Sequence, residues 1–352
     1  MKLKHLIITL TVLVILAVTL FLSWIQIHEY HPQKIEKLSI SNPSEPQIKT
    51  GNSLGILLWN ISYGGMPAEM DFFYSGGLRI QLEEDKSKDN FKQILYTIET
   101  YKDSVDIFLL HKVDSSSKRA YGINQIDEIQ RRLKEYESVY CPNFAVPYIP
   151  VPLDQPLGSV YSGMLSLSSK RAVSHKRMAL NDKDFYWPKK LFTAKKCMDV
   201  AKYTVDNRFL YIINIHLNSY DYMGEIRLAQ LQEVEALAEQ LYKEGSYVII
   251  GGGWNMNPPD FEQHKISYDY KGKVAFPEID SEKHFRGWKF AYQKSIPTSR
   301  TLHDAYRHSA INTTIKDFFI CSPNVNILRA NTVSQKFEFS DHHPIYLRVF
   351  LK

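Results

Sequence analysis

The sequence has little that could staple the chain covalently. Only three cysteines occur in 352 residues, and the spacing of Cys141, Cys197 and Cys321 fits neither a disulfide framework nor a zinc site. Blocks of five or six basic residues are absent, and 43 basic against 38 acidic residues leave a net charge of only +5. Charge alone therefore does not predict a nucleic-acid partner.

Common nucleotide-binding loops are missing as well. The run Gly251-Gly252-Gly253 is not followed by Gly-Lys-Ser/Thr, and it lacks the third glycine of a dinucleotide-binding loop. A hydrophobic content of 44% and a charged content of 23% are ordinary for a globular protein, which excludes a disordered or fibrous chain.

The N-terminus carries a long apolar run. From Leu6 to Ile27 there are 22 residues without a charge, which as a helix would reach about 33 Å, enough for a hydrocarbon core of roughly 30 Å. Because Lys2 and Lys4 precede it, the positive-inside rule predicts a cytoplasmic tail at residues 1–5, a transmembrane signal-anchor at residues 6–27 and a domain on the non-cytoplasmic, periplasmic side. A cleaved signal peptide is the alternative, but its apolar region would be about 7–15 residues long and would end in a small-x-small site.

Composition divides the rest of the chain into a linker and one domain. Residues 28–53 are rich in Pro, Ser, Asn, Gln and Lys, with Pro43 and Pro46 as breakers, and are expected to be a linker. Residues 54–352 are expected to form a single domain that mixes strands and helices, an α+β class. The predicted strands are Gly55–Ile61, Val105–Val113, Gly163–Leu167, Phe209–Leu217, Tyr247–Ile250, Asp317–Cys321 and Pro344–Phe350, and the predicted helices are Phe91–Tyr101, Ile123–Leu133 and Met223–Tyr242.

Polar residues cluster where several predicted strands end, and there we expect the chemistry. These ends are Trp59-Asn60, His111-Lys112-Val113-Asp114, Asn214-Ile215-His216-Leu217, Gly251-Gly252-Gly253-Trp254-Asn255 and Ser340-Asp341-His342-His343-Pro344. Each end alone has a plain structural interpretation as a cap, a turn or a satisfied histidine.

In order and spacing, these ends resemble the endonuclease/exonuclease/phosphatase superfamily, which includes deoxyribonuclease I and the neutral sphingomyelinases. The segment from Tyr63 to Phe73 is most similar to membrane-anchored bacterial members. The resemblance implies a four-layer α/β sandwich, in which two packed mixed sheets are flanked by helices, following the N-terminal transmembrane helix. It also implies a Mg²⁺ cofactor and a phosphorylated substrate or ligand, whether a phosphodiester, a phospholipid or a nucleic acid.

The resemblance assigns roles to individual residues. Catalytic positions are matched by His216, Asn255, Asp317, Asp341 and His342. Substrate-facing positions are matched by Asn60, Arg119 and Arg300.

Two positions depart from the family pattern. Lys112 stands where the family has its metal-binding Glu, with His111 in place of the neighbouring Gln, and Gly253 stands where the family has an Asp that positions water. The two exchanges make the cleft more positive by three charges, and an ammonium repels a cation by about 4 kcal/mol at 4 Å and an effective dielectric of 20. No metal ligand can be assigned confidently.

Three interpretations stay open. The chain is a pseudoenzyme that binds or scaffolds through a phosphoryl ligand, with Lys112 in the place of the cation. Alternatively, it is an active metal-dependent phosphodiesterase or phosphatase with substitute ligands among Asp71, Asp114, Asp317 and Asp341. In the third interpretation, two single-base changes have occurred in an otherwise active enzyme. The lost metal ligand favours impaired catalysis.

Overall fold

Four layers of secondary structure follow an N-terminal helix. The computed structural model describes residues 2–181, 186–219, 221, 224–261, 276–307 and 313–352. The helices are α1 (Lys2–Ile27), α2 (Glu84–Thr100), α3 (Gln125–Arg132) and α4 (Glu225–Lys243), with short 3₁₀ turns at Ser62–Gly64, Phe73–Ser75, Lys118–Ala120 and Lys189–Phe192. The predicted helix start at Met223 lies outside the described residues.

The strands cover most of the rest of the domain. In chain order they are β1 (Ile35–Leu38), β2 (Ser53–Asn60), β3 (Ile107–Asp114), β4 (Glu137–Ile149), β5 (Gly158–Ser168), β6 (Ala172–Ala179), β7 (Cys197–Val205), β8 (Arg208–His216), β9 (Tyr247–Gly253), β10 (Lys289–Ala291), β11 (Ser299–Arg300), β12 (Thr313–Thr314), β13 (Asp317–Cys321), β14 (Val325–Thr332) and β15 (Ile345–Leu351).

Two large mixed sheets form the centre of the domain. One has the order β1-β6-β7-β8-β9-β13-β10 and the other the order β14-β15-β2-β3-β5-β4, while β11 and β12 form a small ribbon. β8 and β9 pair in parallel, as do β2 and β3. The other pairings in both sheets are antiparallel.

The hydrophobic core has three separate layers. Alternate residues of both sheets, such as Ile56 and Ile249, pack between them. Their neighbours point outward, so Ile250 meets Leu231 of α4 and Leu57 packs with Ile94 of α2. Because side chains alternate along a strand, each sheet buries both faces, and the predicted four-layer α+β sandwich is confirmed.

Residues 28–53 do not stand free as the sequence had led us to expect. β1 pairs with β6 at the edge of the seven-stranded sheet. Ser41 bridges to Ser138, Ile48 bridges to Val205 and Ser44 is buried. We call residues 28–53 the strap, because they form an ordered part of the domain surface. The composition of this segment gave no sign of these contacts, since they are made largely by its backbone.

Among the described residues, the C-terminal end of helix α1 packs on the domain. Its apolar length is sufficient to cross a membrane, and most of it is exposed. Ile25 is fully buried, and the Phe21 ring lies 6.4 Å from the ring of Phe192 and 6.3 Å from that of Tyr148.

Candidate functional site

The predicted polar strand ends converge at one edge of the sandwich. Asn60 of β2 is in register with His111 of β3, and His216 of β8 is in register with Gly253 of β9. The rings of His111 and His216 stack across the two sheets with their centroids 5.2 Å apart. Parallel neighbours end at the same edge of a sheet, which is why residues far apart in sequence meet here.

A hydrogen-bonded series of side chains runs along this edge. Asp317 Oδ2 lies 2.6 Å from His342 Nδ1, and His342 Nε2 lies 3.2 Å from Asn60 Nδ2. Asn60 Oδ1 accepts from the Ser62 backbone N–H, which turns Asn60 Nδ2 toward His342. Burial acts to raise the pKa of Asp317, but the charge and hydrogen bond of His342 hold it below its ordinary value.

Asp341 is tied to Lys112 through Ser62. The Ser62 hydroxyl donates to Asp341 Oδ1, and Lys112 Nζ lies 3.5 Å from the Ser62 oxygen. Against the effect of burial, the charges of His342 and Lys112 lower the pKa of Asp341 to about 2. Burial also lowers the pKa of Lys112, and the carboxylate of Asp341 opposes that shift. Lys112 thus lies near a carboxylate that is ionised at neutral pH.

Three partly buried lysines line the cavity above these residues, and the exposed Lys189 lines it as well. The cavity has a volume of about 600 Å³, and Lys112, Lys196 and Lys316 line it together with His216 and His342. Burial, and next the charge of Lys112, lower the pKa of Lys196 to about 7. With Asp341 as the one acidic residue of the described lining, these lysines favour an anion in the cavity, because Coulomb attraction strengthens as water is excluded.

His111 connects the site to a buried polar chain between the sheets. Its Nε2 lies 2.6 Å from Asn214 Oδ1, and Asn214 Nδ2 donates to Ser166 Oγ at 3.2 Å. The Ser166 hydroxyl donates to Asp199 Oδ2, whose Oδ1 lies 2.9 Å from His175 Nδ1. Burial lowers the pKa of His111 to about 4, so its ring is neutral near pH 7.

His216 shares this neutral state. Burial, the charge of Lys196 and the neighbouring His111 place its pKa well below the ordinary value. The two stacked imidazoles can therefore lie together without charge repulsion.

The Gly253 backbone lies close to the side chains of both His216 and Asp317. A Cβ atom at this position would lie 2.9 Å from His216 Cδ2 and 3.1 Å from Asp317 Oδ1. The backbone is not in the left-handed region here, so the position does not require glycine for its φ angle. An Asp would instead need small movements of two side chains.

The remaining predicted residues are largely engaged in local contacts. Asn255 lines the cavity and donates through Nδ2 to the Leu217 carbonyl at 2.9 Å. Arg300 also lines it, but its guanidinium donates to backbone carbonyls, including those of Pro67 and Met70. Burial lowers the pKa of Arg300. These contacts make Arg300 the support of the loop around Met70.

Two proposed substitute ligands are paired with arginines. Asp114 accepts from Arg119 Nε at 2.8 Å and from Nη2 at 2.9 Å, and the Arg119 guanidinium covers the Tyr63 ring at 3.8 Å. Asp71 accepts from Arg79 Nε at 2.6 Å. Since both carboxylates are paired with guanidinium groups, neither is placed to serve as a substitute metal ligand. Arg119 lines the cavity and is held in place by Asp114.

The donor set does not fit the magnesium ion that the resemblance implies. Magnesium requires several hard oxygen ligands in near-octahedral geometry. Asp317 Oδ1 is a buried carboxylate oxygen without a hydrogen-bond partner, but Asp341 is occupied by Ser62, and the ammonium of Lys112 is beside it. Over the described parts of the chain, no group of three or more His, Cys, Asp or Glu side chains is arranged to hold a metal ion.

Sequence reasoning missed two of the three lysines. Lys196 immediately precedes β7, and Lys316 immediately precedes β13. Lysines next to strands are usually solvent-exposed, so neither position carried a signal. The fact that Lys316 directly precedes the predicted Asp317 was the one available indication for it.

Comparison with solved structures identifies the fold. An endonuclease/exonuclease/phosphatase from Beutenbergia cavernae is similar with a TM-score of 0.58 and 13% identity, covering 85% of this chain and 72% of that chain. The human Nocturnin catalytic domain with bound sulfate has a TM-score of 0.54 and 16% identity, with coverage of 90% and 97%. A family protein from Bacteroides thetaiotaomicron has a TM-score of 0.52 and 12% identity, with coverage of 86% and 98%.

These matches confirm, at the level of the fold, the resemblance found in the sequence. No protein-family profile and no curated protein matches the chain. At such low identity the solved structures establish the architecture, and the chemistry has to be argued from the residues themselves.

Proposed function

We propose that this protein binds a phosphoryl group in the cavity and that metal-dependent hydrolysis of the family type is impaired. The observation that carries the proposal is the presence of Lys112, Lys196 and Lys316 around one cavity that is also lined by His216 and His342. Ammonium groups neutralise a phosphoryl anion as a divalent cation would, but they cannot coordinate and activate a water molecule. Binding is therefore favoured over turnover.

We further propose that α1 anchors the protein in a membrane, with the N-terminus in the cytoplasm and the domain on the other side. Its length and apolar composition support the span, and Lys2 and Lys4 support the orientation. Because most of α1 lies outside the domain, its apolar surface requires some other cover.

The test is binding of inorganic phosphate to the full chain in phosphatidylcholine nanodiscs, with either magnesium or a chelator present. We expect equal affinity in both conditions, and a loss of about tenfold or more in Lys112→Met, because a hydrogen bond to a charged group contributes about 1.5–3 kcal/mol. Lys176→Met, on the exposed face of β6, is the matched control and should bind as the wild type does. Phosphate binding that requires magnesium would refute the proposal.

An active metal-dependent hydrolase is the second candidate. It is supported by the His342–Asp317 pair and by the unpartnered Oδ1 of Asp317. The same samples distinguish it, since robust turnover of a generic phosphodiester by the wild type with magnesium, abolished by chelator, would establish a hydrolase.

A further inference from the structure

The lining of the cavity is of two chemical kinds. It includes the three partly buried lysines described above and a set of apolar side chains. We call this the apolar wall, and it comprises Met66, Phe72, Ile149, Val151, Leu157 and Phe192. A ligand that consisted only of a phosphoryl group would leave this wall without a partner.

The apolar wall is continuous with the N-terminal helix. Phe192 lines the cavity and also stacks on Phe21 of α1, with an interplanar angle of 17°. Tyr148, one residue before Ile149 of the wall, makes an edge contact with the same Phe21 ring. The wall therefore leads from the lysines to the end of the helix that is apolar enough to lie in a membrane.

The segment that precedes Phe192 in the chain has the composition of a membrane interface. Tyr186 is 85% exposed and Trp187 is 58% exposed, and the exposed residues Lys189 and Lys190 follow them. Amphipathic aromatic rings and lysines are the side chains that favour the level of lipid head groups. Leu153, 85% exposed, lies two residues beyond Val151 of the wall.

From these features we propose that the ligand is a phosphate-bearing lipid whose phosphate lies at the three lysines and whose acyl chain lies along the apolar wall toward α1. The proposal rests on the phosphoryl-binding function proposed above and specifies its ligand class. Charge complementarity places the head group at the lysines, and the stacking of Phe192 on Phe21 places the acyl chain toward α1. The lipid would enter from the leaflet in which the C-terminal end of α1 lies.

The test compares two ligands that share a head group. The full chain in phosphatidylcholine nanodiscs is titrated with glycerol 3-phosphate and with dihexanoyl phosphatidic acid, and empty nanodiscs provide the blank. We expect the acylated compound to bind about tenfold tighter or more, since burying two methylene groups corresponds to about that factor.

Variants of the wall locate the effect. Phe192→Asn should reduce the preference for the acylated compound toward unity. Phe209→Asn is the matched control, because Phe209 is a partly exposed ring on β8 outside the cavity lining, and it should keep the preference. Val151→Asn, at a 45% exposed wall position, provides a second variant should Phe192→Asn fail to fold.

The outcomes separate the two proposals. Equal affinity for both ligands would overturn the lipid inference and leave phosphoryl binding standing. A preference that survives in both wall variants would also overturn it, because the acyl chain would then lie elsewhere. Binding of neither ligand would overturn the phosphoryl-binding function itself.

Discussion

At the scale of single residues, Lys112 occupies an unusual backbone position. Its φ angle is 51°, and the pairing of β3 with β5 shifts between His111 and Val113. A bulge of this kind re-aims one side chain at the rim of a sheet, and a non-glycine residue in the left-handed region costs of the order of 1 kcal/mol or more. The bulge thus turns the side chain of residue 112 into the cavity, where it places a lysine.

Lys196 should make anion binding depend on pH. Its pKa of about 7 means that its charge is present below pH 7 and is lost as the pH rises through that value. We expect the affinity for sulfate, which keeps its charge over this range, to fall by up to about tenfold between pH 6 and pH 8, because the charged fraction of a group with this pKa falls by about that factor.

The measurement is a sulfate titration at several pH values with wild type and Lys196→Met. The variant should bind weakly at every pH and lose the inflection near pH 7. An unchanged inflection in the variant would assign the titration to another group.

The site residues that were predicted from the sequence lie close together in the structure. Their hydrogen-bond and ion-pair partners could not be predicted. Strand ends could be recognised in the sequence because they are apolar runs that finish in polar residues. The predicted residues lie next to the ends of strands of both sheets, at one edge of the sandwich: Asn60, His216, Asn255, Asp317, Asp341 and His342. The pairing of Arg119 with Asp114 depends on side-chain directions after a strand, which no sequence pattern specifies.

At the scale of elements, β9 shows why glycines end a central strand. A Cβ at Gly252 would lie 2.2 Å from Ile215 Cγ1, and one at Gly251 would lie 2.8 Å from Leu109 of the opposite sheet. Gly251 allows the two sheets to approach closely, whereas Gly252 leaves room for a side chain of the neighbouring strand β8. Gly253 is different, because its nearest neighbours are side chains of the site.

Changes at the ends of β3 and β9 should restore hydrolysis only in combination. Lys112→Glu supplies an oxygen ligand for magnesium, and Gly253→Asp supplies a carboxylate that positions water. We expect each single variant to stay near background and the double variant to gain magnesium-dependent phosphodiester hydrolysis by about 10² or more, the size of a positioned general base.

The assay compares wild type, both single variants and the double variant on a phosphodiester and a phosphomonoester, with chelator controls. Lys176→Glu controls for the change of charge. A folded double variant that binds magnesium but stays inert would show that the cavity does not hold a phosphoester in a position suitable for hydrolysis.

Strand prediction succeeded where apolar runs were long and failed where strands alternate or contain proline. β13 was predicted with its bounds, and β2, β3, β8 and β15 within two residues. β4 was missed because Pro142 and Pro147 interrupt it, and β6 because Lys176 and the buried Arg177 leave it without an apolar run. Tertiary pairing overrides local preference in both strands.

At the scale of the whole molecule, the orientation across the membrane can be tested directly. With Lys2 and Lys4 on the cytoplasmic side, a reporter fused after Lys352 should be active only if it is a type that works outside the cytoplasm. A cytoplasmic reporter fused at the same place should be inactive.

The Lys2→Glu, Lys4→Glu double variant should weaken or invert this pattern, because it removes the positive charges that set the orientation. Activity of the cytoplasmic reporter in the wild type, or a mature protein beginning beyond Trp24, would contradict the anchor.

The ordered strap limits where an anchored domain can search. A flexible chain of 25 residues would have a root-mean-square end-to-end distance of roughly 25–30 Å, and the domain could move that far from its helix. Here β1 pairs with β6, and Phe21 packs on Phe192, so almost none of that length is left as a free tether. The cavity would be confined to the bilayer in which its own helix sits, which makes encounter two-dimensional. Such a protein would sample the composition of its own leaflet and have no access to a neighbouring membrane.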